Sequence, residues 1–150
     1  VIMHMRGTPQ NMQVGDIVYD DVVQEVYNFL EERVSDITSY GISSRKIIVD
    51  PGIGFGKTLK HNLLLSQNLF KFQKLACGVL YGPSKKNFLG EITGISIPAE
   101  RGIATLGAVA LSYAFGANII RVHDVKNTVQ VLKVVSKMQE GLNENLHKTR

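Results

Sequence analysis

The sequence is poor in cysteine and in long apolar runs, and both shortages exclude classes of protein. Cys77 is the only cysteine among 150 residues, so no internal disulfide can form, and its apolar neighbours predict an inert core position. No apolar run approaches the ~20 residues of a membrane span. The first six residues lack a basic stretch leading into an apolar one, so we expect no signal peptide. We therefore expect a protein of a reducing, cytoplasmic compartment with no membrane contact.

Positive charge is in modest excess, with a formal net charge of +4. The lysines and arginines are scattered, and no ladder of aromatic and basic residues appears, as a nucleic-acid-binding surface would require. A small anionic substrate accounts for the same charge, so we expect no nucleic-acid partner.

Amphipathic segments recur along the chain. Apolar residues at steps of three and four predict helices over 18–37, 63–72, 103–114 and 125–138, with Asp20 or Asp21 and Asp124 as candidate caps and Gly41 and Gly116 as stops. The last two helices carry the apolar stripes Ile103, Leu106, Ala110, Tyr113, Ala114 and Val125, Val129, Leu132, Val135, Met138. We expect a loop over 91–97, a helix start at Pro98 and a frayed polar tail over 141–150.

Short apolar segments between the helices predict strands at 1–5, 46–50, 78–81 and 117–123. Alternation of strand and helix without hairpin signals is typical of parallel strands joined by right-handed crossovers. We therefore predict one α/β domain over residues 1–150.

Polar side chains follow each predicted strand. They are His4 and Arg6, then Asp50, then Ser84, Lys85 and Lys86, and finally Arg121, His123 and Asp124. Because the carboxyl ends of parallel strands lie on one rim, these four groups are expected to form one site. Strand alternation places Arg121 and His123 on the same face.

Three of these residues each allow two interpretations. Asp50 could accept backbone hydrogen bonds from the glycine loop that follows it, or bind the N–C–NH₂ edge of a guanidine-like heterocycle. Lys86 could hold a carbonyl or ring nitrogen of that ligand, or be a solvated lysine. Arg121 could clamp an anion, or pair with a carboxylate such as Asp124.

The glycine loop also approaches a nucleotide-binding motif. Residues 51–58 nearly fit G-x-x-x-x-G-K-[ST], but Pro51 stands where the first glycine belongs. Proline removes an N–H and fixes φ, which damages a turn that cradles an anion. The dinucleotide pattern G-x-G-x-x-G fails as well, since its third glycine comes one residue early.

Four motifs together resemble the dihydropteroate synthases, the pterin-binding (β/α)8 enzymes of folate synthesis. They are Met3-His4-Met5-Arg6-Gly7-Thr8-Pro9, Asp50-Pro51-Gly52-Ile53-Gly54-Phe55-Gly56-Lys57, Gly82-Pro83-Ser84-Lys85-Lys86 and Arg121-Val122-His123-Asp124-Val125. In that family these motifs end the fifth to eighth strands, and the resemblance runs from Val1 to about Met138. It implies a TIM-barrel type fold of which this chain holds the last four β/α units, with the N-terminal four absent.

The resemblance implies a transferase that condenses 6-hydroxymethyl-7,8-dihydropterin pyrophosphate with p-aminobenzoate, releasing pyrophosphate and 7,8-dihydropteroate. It assigns Asp50, Lys86, Arg121, Met5 and Gly82 to the pterin, Arg121 and His123 to the pyrophosphate, and Phe55 and Lys85 to the p-aminobenzoate side. It assigns no protein acid or base. Magnesium assists departure of the pyrophosphate in this family, and we expect its ligands in the absent half, none in this chain. The family also implies sulfonamide binding and a homodimer through the late helices.

Two departures from the family carry expectations. Ser84-Lys85-Lys86 stands where the family usually has Ser-Arg-Lys, so Lys85 lacks the planar fork of an arginine. We expect altered p-aminobenzoate handling rather than loss of pterin binding. Since half of the rim is missing, we expect the 150 residues alone to be inactive.

Three other functions stay open at this point. The first is another pterin-binding barrel, such as a methyltetrahydrofolate-dependent methyltransferase, against which residues 84–86 and 121–123 argue. The second is a P-loop nucleotide-binding module. The third is a non-catalytic partner subunit that binds pterin without turnover.

Overall fold

The computed structural model describes residues 1–148, and for residues 141–148 it describes the backbone alone. Four strands alternate with helices. The strands are β1 (Ile2–Met3), β2 (Ile48–Asp50), β3 (Gly78–Tyr81) and β4 (Ile119–Ile120). The helices are α1 (Val22–Ser39), α2 (Leu59–Gln67), α3 (Leu69–Phe72), α4 (Asn87–Thr93), α5 (Gly102–Ala114) and α6 (Val125–Lys148), with 3-10 turns at Ser44–Lys46 and Pro98–Glu100.

All neighbouring strands pair in parallel, in the order β1-β2-β3-β4. Each strand therefore lies beside the next one along the chain, which is the arrangement of consecutive units in a β/α barrel. Ile2 faces Val49, Ile48 faces Gly78 and Leu80 faces Ile119 in the register. The predicted parallel α/β fold is confirmed.

Only β3 has the predicted bounds, and the other three strands are shorter than predicted. One backbone hydrogen bond follows the last paired residue of β1, from His4 N to Asp50 O (3.1 Å), and one follows that of β4, from Arg121 N to Tyr81 O (2.9 Å). These bonds keep the strand ends together past the last ladder residue. The strand ends that carry the predicted site thus stay adjacent.

The first two predicted helices need small corrections. α1 begins at Val22 with Asp21 as its cap, so Val18, which is 71% exposed, lies outside the helix. Gly41 follows its end at φ +85°, as predicted. The predicted single helix over 63–72 is two helices, which begin after the Thr58 cap and break at Asn68.

The predicted loop over 91–97 is wrong in part, because α4 runs to Thr93 and ends at the left-handed Gly94. Pro98 begins a 3-10 turn rather than the helix, and α5 begins at Gly102. Asp124 accepts the Asn127 N–H (3.1 Å) at the start of α6. That helix continues past Gly141 to Lys148, and residues 149–150 lie outside the described residues.

The predicted apolar stripes of α5 and α6 are wrong in part, because only Leu106, Ala110, Leu132 and Val135 of their members are half-buried and the others are exposed. Buried positions of α5 are Thr105, Val109 and Ser112, whereas Ile103 is 87% exposed. The two hydroxyls can face the interior because each donates within the helix, Thr105 to Arg101 O and Ser112 to Val109 O (both 2.8 Å). In α6 the exposed side chains include Val125, Val129 and Met138, while Thr128 is buried.

The core lies between the sheet and the helices α1 to α4. Its fully buried members include Val26, Leu30, Val49, Phe72 and Val79. Burying such a side chain contributes about 1.5–3 kcal/mol, so this layer fixes the strands that present the site. The predicted core position of Cys77 is wrong, since its side chain is exposed just before β3.

Within residues 1–148, none of the helices combines the length and apolar character that crossing a membrane demands.

The cap of α1 generates a stability prediction. The Asp21 carboxylate accepts from Val23 N (3.0 Å) and Gln24 N (3.1 Å), so Asp21→Ala should lower the free energy of unfolding by about 1 kcal/mol. Urea denaturation measures this change. Asp20→Ala is the matched control, and an equal loss in both variants would contradict the assignment of the cap.

Candidate functional site

Asp50 is the most deeply buried carboxylate of the rim, only 1% exposed. Its Oδ1 accepts the Gly52 N–H at 2.8 Å and its Oδ2 accepts Arg121 Nη2 at 3.0 Å. A Cβ on Gly52, which has φ +71°, would overlap the His4 carbonyl oxygen. The position therefore requires glycine both for its conformation and for the close approach of the first two strand ends.

Arg121 reaches Asp50 from β4, two strands away in the sheet, and its side chain is 53% exposed. Its partner is thus Asp50 rather than Asp124, whose carboxylate is occupied by Asn127. The guanidinium lies against Gly82, where a Cβ would stand 3.1 Å from Nη2. A carboxylate has about four acceptor positions, so Asp50 keeps two for a ligand.

Lys86 extends from the third strand end towards the glycine loop. Its Nζ donates to Ile53 O and lies 4.4 Å from the centroid of the Phe55 ring. Burial lowers the pKa of Lys86 to about 8, with Asp50 acting in the opposite direction and Arg121 lowering it further. It is therefore not the solvated lysine of the second interpretation. We call Asp50, Lys86 and Arg121 the rim cluster.

His123 contacts the loop that carries Lys86. Ser84 Oγ lies 2.8 Å from His123 Nδ1 and accepts the His123 backbone N–H at 3.3 Å. When the hydroxyl donates to Nδ1, Nε2 carries the ring proton and can donate to an anion. The exposed imidazole thus stands beside the rim cluster, joined to it through residues 84–86.

The remaining predicted residues differ in placement. Phe55 is half-buried beneath Lys86, and Gly82 lies beneath Arg121. Met5 is half-buried at the end of β1. Lys85 has a left-handed backbone, φ +59°, and its charge helps to lower the pKa of Asp124, after the hydrogen bonds from Asn127.

Lys57 and His4 form a buried pair beneath the glycine loop, and the sequence did not reveal its role. Lys57 Nζ lies 2.9 Å from His4 Nδ1 and 3.0 Å from Phe55 O. Burial lowers the pKa of Lys57 to about 7, and burial followed by the Lys57 charge lowers that of His4 to about 4. A P-loop lysine reaches phosphates with a free ammonium, whereas this one is engaged inside the protein.

A cavity of about 560 Å³ opens beside the rim cluster, between the glycine loop, residues 12–17 and the start of α4. Phe55, Lys86 and Asn87 line it together with Asn62, whose Oδ1 accepts the Gly54 N–H at 2.7 Å. A second cavity of about 340 Å³ is almost wholly apolar and lies between α2, α4 and α5. The first has the mixed lining of a site for a small polar ligand.

The described residues do not fit a magnesium ion by themselves. No group of three or more His, Cys, Asp or Glu side chains within residues 1–140 could hold a metal. Asp50 already contacts an arginine and a backbone N–H, so it is a poor candidate for a ligand. We assign no step to a metal.

Parallel β/α units with polar and charged side chains at the carboxyl ends of their strands are typical of a β/α-barrel enzyme. Residues 1–123 match the family model described as "Pterin binding enzyme". The chain belongs to this family.

Similar curated proteins include dihydropteroate synthases and two folate synthesis bifunctional proteins of Arabidopsis thaliana. The protein of Neisseria meningitidis serogroup C is 42% identical over 133 residues, which cover 88% of this chain and 47% of that protein. The solved structure from Stenotrophomonas maltophilia gives a TM-score of 0.87 at 42% identity, covering 91% of this chain and 51% of that one. The Burkholderia cenocepacia enzyme, solved with 7,8-dihydropteroate, gives 0.85 at 38% identity, covering 95% and 53%.

The chain thus spans about half the length of the curated relatives it matches. The predicted (β/α)8 TIM-barrel type, represented here by four β/α units, is confirmed by these structures.

The buried imidazole predicts a pH dependence of stability. His4 has a folded pKa of about 4 against an unfolded value of 6.5, so the unfolded state binds more protons between these values. The free energy of unfolding should therefore fall as pH is lowered from 6.5 to 4. Urea denaturation at pH 7 and pH 5 should show a smaller loss for His4→Asn than for the wild type. Equal losses in the wild type and in His4→Asn would contradict the prediction.

Proposed function

We propose that these four β/α units are the C-terminal half of a dihydropteroate synthase. Such an enzyme joins 6-hydroxymethyl-7,8-dihydropterin pyrophosphate to p-aminobenzoate, forming 7,8-dihydropteroate and pyrophosphate in folate biosynthesis. The observation that carries the proposal is the buried Asp50 carboxylate, with acceptor positions left over and with Lys86 and Arg121 beside it. Similarity to synthases at 42% identity supports the choice among pterin-binding enzymes.

Asp50 recognises the amino-pyrimidine edge of the pterin in this proposal. The 2-amino group and the adjacent ring N–H donate to its carboxylate, and hydrogen bonds to a charged acceptor contribute about 1.5–3 kcal/mol each. Arg121 now donates one hydrogen bond to Asp50 Oδ2. Its half-exposed side chain can rotate away from this oxygen and stack on the pterin ring. Met5 and Gly82 would complete the walls of the pterin slot.

Lys86 and His123 hold the two ends of this substrate. Lys86 donates to a carbonyl or ring nitrogen of the pterin, exchanging its present bond to Ile53 O. His123 and Arg121 donate to the pyrophosphate, which carries the negative charge that the positive rim favours.

Chemistry at the methylene carbon needs positioning and charge stabilisation. The bond between the methylene carbon and the pyrophosphate oxygen breaks, and its electron pair leaves with the pyrophosphate. The amine nitrogen of p-aminobenzoate then attacks the cation-like methylene and loses a proton, for which departing pyrophosphate or water suffices. Holding the partners in line can supply several kcal/mol of the barrier, so no protein base is assigned.

The cavity of about 560 Å³ beside Phe55 is the proposed approach for p-aminobenzoate. Lys85 belongs to this side in the family, and its influence on p-aminobenzoate stays a prediction. We further propose that the complete enzyme is a cytoplasmic homodimer. The first four β/α units are needed for turnover, so the 150 residues alone should be inactive.

Asp50→Ala tests the central assignment. Losing two charge-assisted hydrogen bonds should lower kcat/KM of the complete enzyme for dihydropteroate formation by at least about 100-fold. Asp124→Asn is the control, because it changes a rim carboxylate outside the cluster while keeping an acceptor for Asn127. Undiminished turnover in Asp50→Ala would remove that residue from its role. Pterin binding without turnover in the wild type would favour a non-catalytic subunit.

Sulfonamide competition separates a synthase from other pterin-binding barrels. A sulfonamide mimics p-aminobenzoate, so it should compete with p-aminobenzoate for the complete wild-type enzyme in steady-state kinetics. A methyltetrahydrofolate-dependent methyltransferase does not use free p-aminobenzoate as a substrate and has no reason to bind a sulfonamide tightly. Absence of any inhibition or binding at millimolar sulfonamide would count against the synthase.

A further inference from the structure

Arg101 is a buried arginine that the proposed chemistry does not use. It stands at the junction between the 3-10 turn Pro98–Glu100 and α5, and it is 5% exposed. No carboxylate of residues 1–140 lies within ion-pair distance of it. A buried charge without an ion pair is unfavourable unless its hydrogen bonds are satisfied, so its contacts are informative.

The guanidinium of Arg101 binds two segments at once. Nε donates to Ile95 O (3.0 Å) and Nη2 to Ser96 O (2.6 Å), both in the connection after α4. Nη1 donates to Lys85 O and to Asn87 Oδ1, both at 3.0 Å. The second pair brackets Lys86, a member of the rim cluster.

Both backbone polar groups of Lys85, its N–H and its carbonyl, are hydrogen-bonded to side chains. Its N–H donates to Thr105 Oγ1 at 3.0 Å, and its carbonyl accepts from Arg101. Thr105 Oγ1 in turn donates to Arg101 O at 2.8 Å, so its single proton is used and its lone pairs serve Lys85. Arg101, which precedes α5, and Thr105 in its first turn therefore both hold the backbone of Lys85.

These contacts act on an unfavourable conformation. Lys85 is the one non-glycine residue with positive φ, +59°, in the part of the chain that the structure describes. For a residue with a Cβ this conformation costs roughly 1–3 kcal/mol and persists where surrounding contacts impose it. It reverses the chain so that Ser84 meets His123 on one side and Lys86 meets the glycine loop on the other.

α4 packs directly on the guanidinium. A Cβ on Gly90 would stand 2.6 Å from Arg101 Nε and 2.7 Å from Cζ, so the helix backbone lies against the side chain. α4 begins at Asn87, immediately after Lys86, and has no side-chain cap from that residue. Arg101 thus fixes the start of the helix as well as the loop before it.

We propose that Arg101 and Thr105 are positioning residues of the rim, which hold Lys85 in the left-handed conformation and thereby place Lys86 and Ser84 in the site. The proposal rests on the proposed function, since it concerns the pterin and pyrophosphate subsites. Neither residue lines the cavity beside the rim cluster. They act through the backbone between the two site residues.

Thr105→Val in the complete enzyme is the sharpest test, because it keeps the shape and removes the hydroxyl. We expect kcat/KM for the pterin pyrophosphate to fall about tenfold, as the loss of one buried hydrogen bond implies, mainly through a higher KM. Thr105→Ser keeps the hydroxyl and should retain near wild-type values. Ser112→Ala is the matched control, since it removes another buried hydroxyl of α5 that bonds only within the helix.

Lys85→Gly separates loss of the backbone conformation at residue 85 from general destabilisation of the protein. Glycine adopts positive φ without help, so Thr105→Val in the Lys85→Gly background should raise KM by less than about threefold. The same increase in both backgrounds would overturn the proposal. So would a Thr105→Val enzyme whose melting temperature falls, as in Ser112→Ala, while its KM stays unchanged.

Arg101→Met should lower kcat/KM more than Thr105→Val does. If the Arg101→Met protein does not fold, the Thr105→Val result alone decides. If the wild-type enzyme forms no dihydropteroate, the proposed function fails on its own account. Amide hydrogen exchange at Lys85 and Lys86 then tests whether Arg101 and Thr105 hold the Lys85 backbone. Faster exchange in Thr105→Val but not in Ser112→Ala supports it, and equal exchange in the two variants overturns it.

Discussion

Burial of the Asp50 carboxylate at the end of β2 is the constraint around which the rim is arranged. A carboxylate this deeply enclosed is tolerated only with hydrogen-bond donors close by. Gly52 supplies one from the same loop, and Arg121 supplies the other from two strands away. The parallel sheet brings both within reach, since it delivers the carboxyl ends of β2 and β4 to the same rim.

Sequence reasoning predicted the buried strand that ends at Asp50, because the signal for it is local. An apolar run that stops at Asp50 and continues into glycines predicts a buried strand with a functional end, whatever surrounds it. The parallel direction of the four strands follows from the alternation of strand and helix without hairpin signals. The partner of Arg121 was not predicted, because the sequence offered the neighbouring Asp124 and only the folded sheet brings Arg121 to Asp50.

Other features depend on contacts that no periodicity encodes. α5 is apolar on nearly every side, so spacing could not select its buried face, and Thr105 and Ser112 turn inward because their hydroxyls bond within the helix. α4 is a short helix set by Gly94 and by packing of Gly90 against Arg101. Lys57 looked like a phosphate-binding lysine by its neighbours in sequence, and only tertiary structure pairs it with His4.

In the proposed function, the contact between Arg121 and Asp50 would make the rim selective. A guanidinium presents N–H donors around one carbon, and the amino-pyrimidine edge of a pterin presents the same pattern, so the protein carries its own imitation of the ligand we propose. Simple amines offer no such planar arrangement and would compete poorly against an arginine tethered at its target. We expect a ligand to displace Arg121 from Asp50 only if it is planar, presents the same pattern of N–H donors and gains further contacts through its ring.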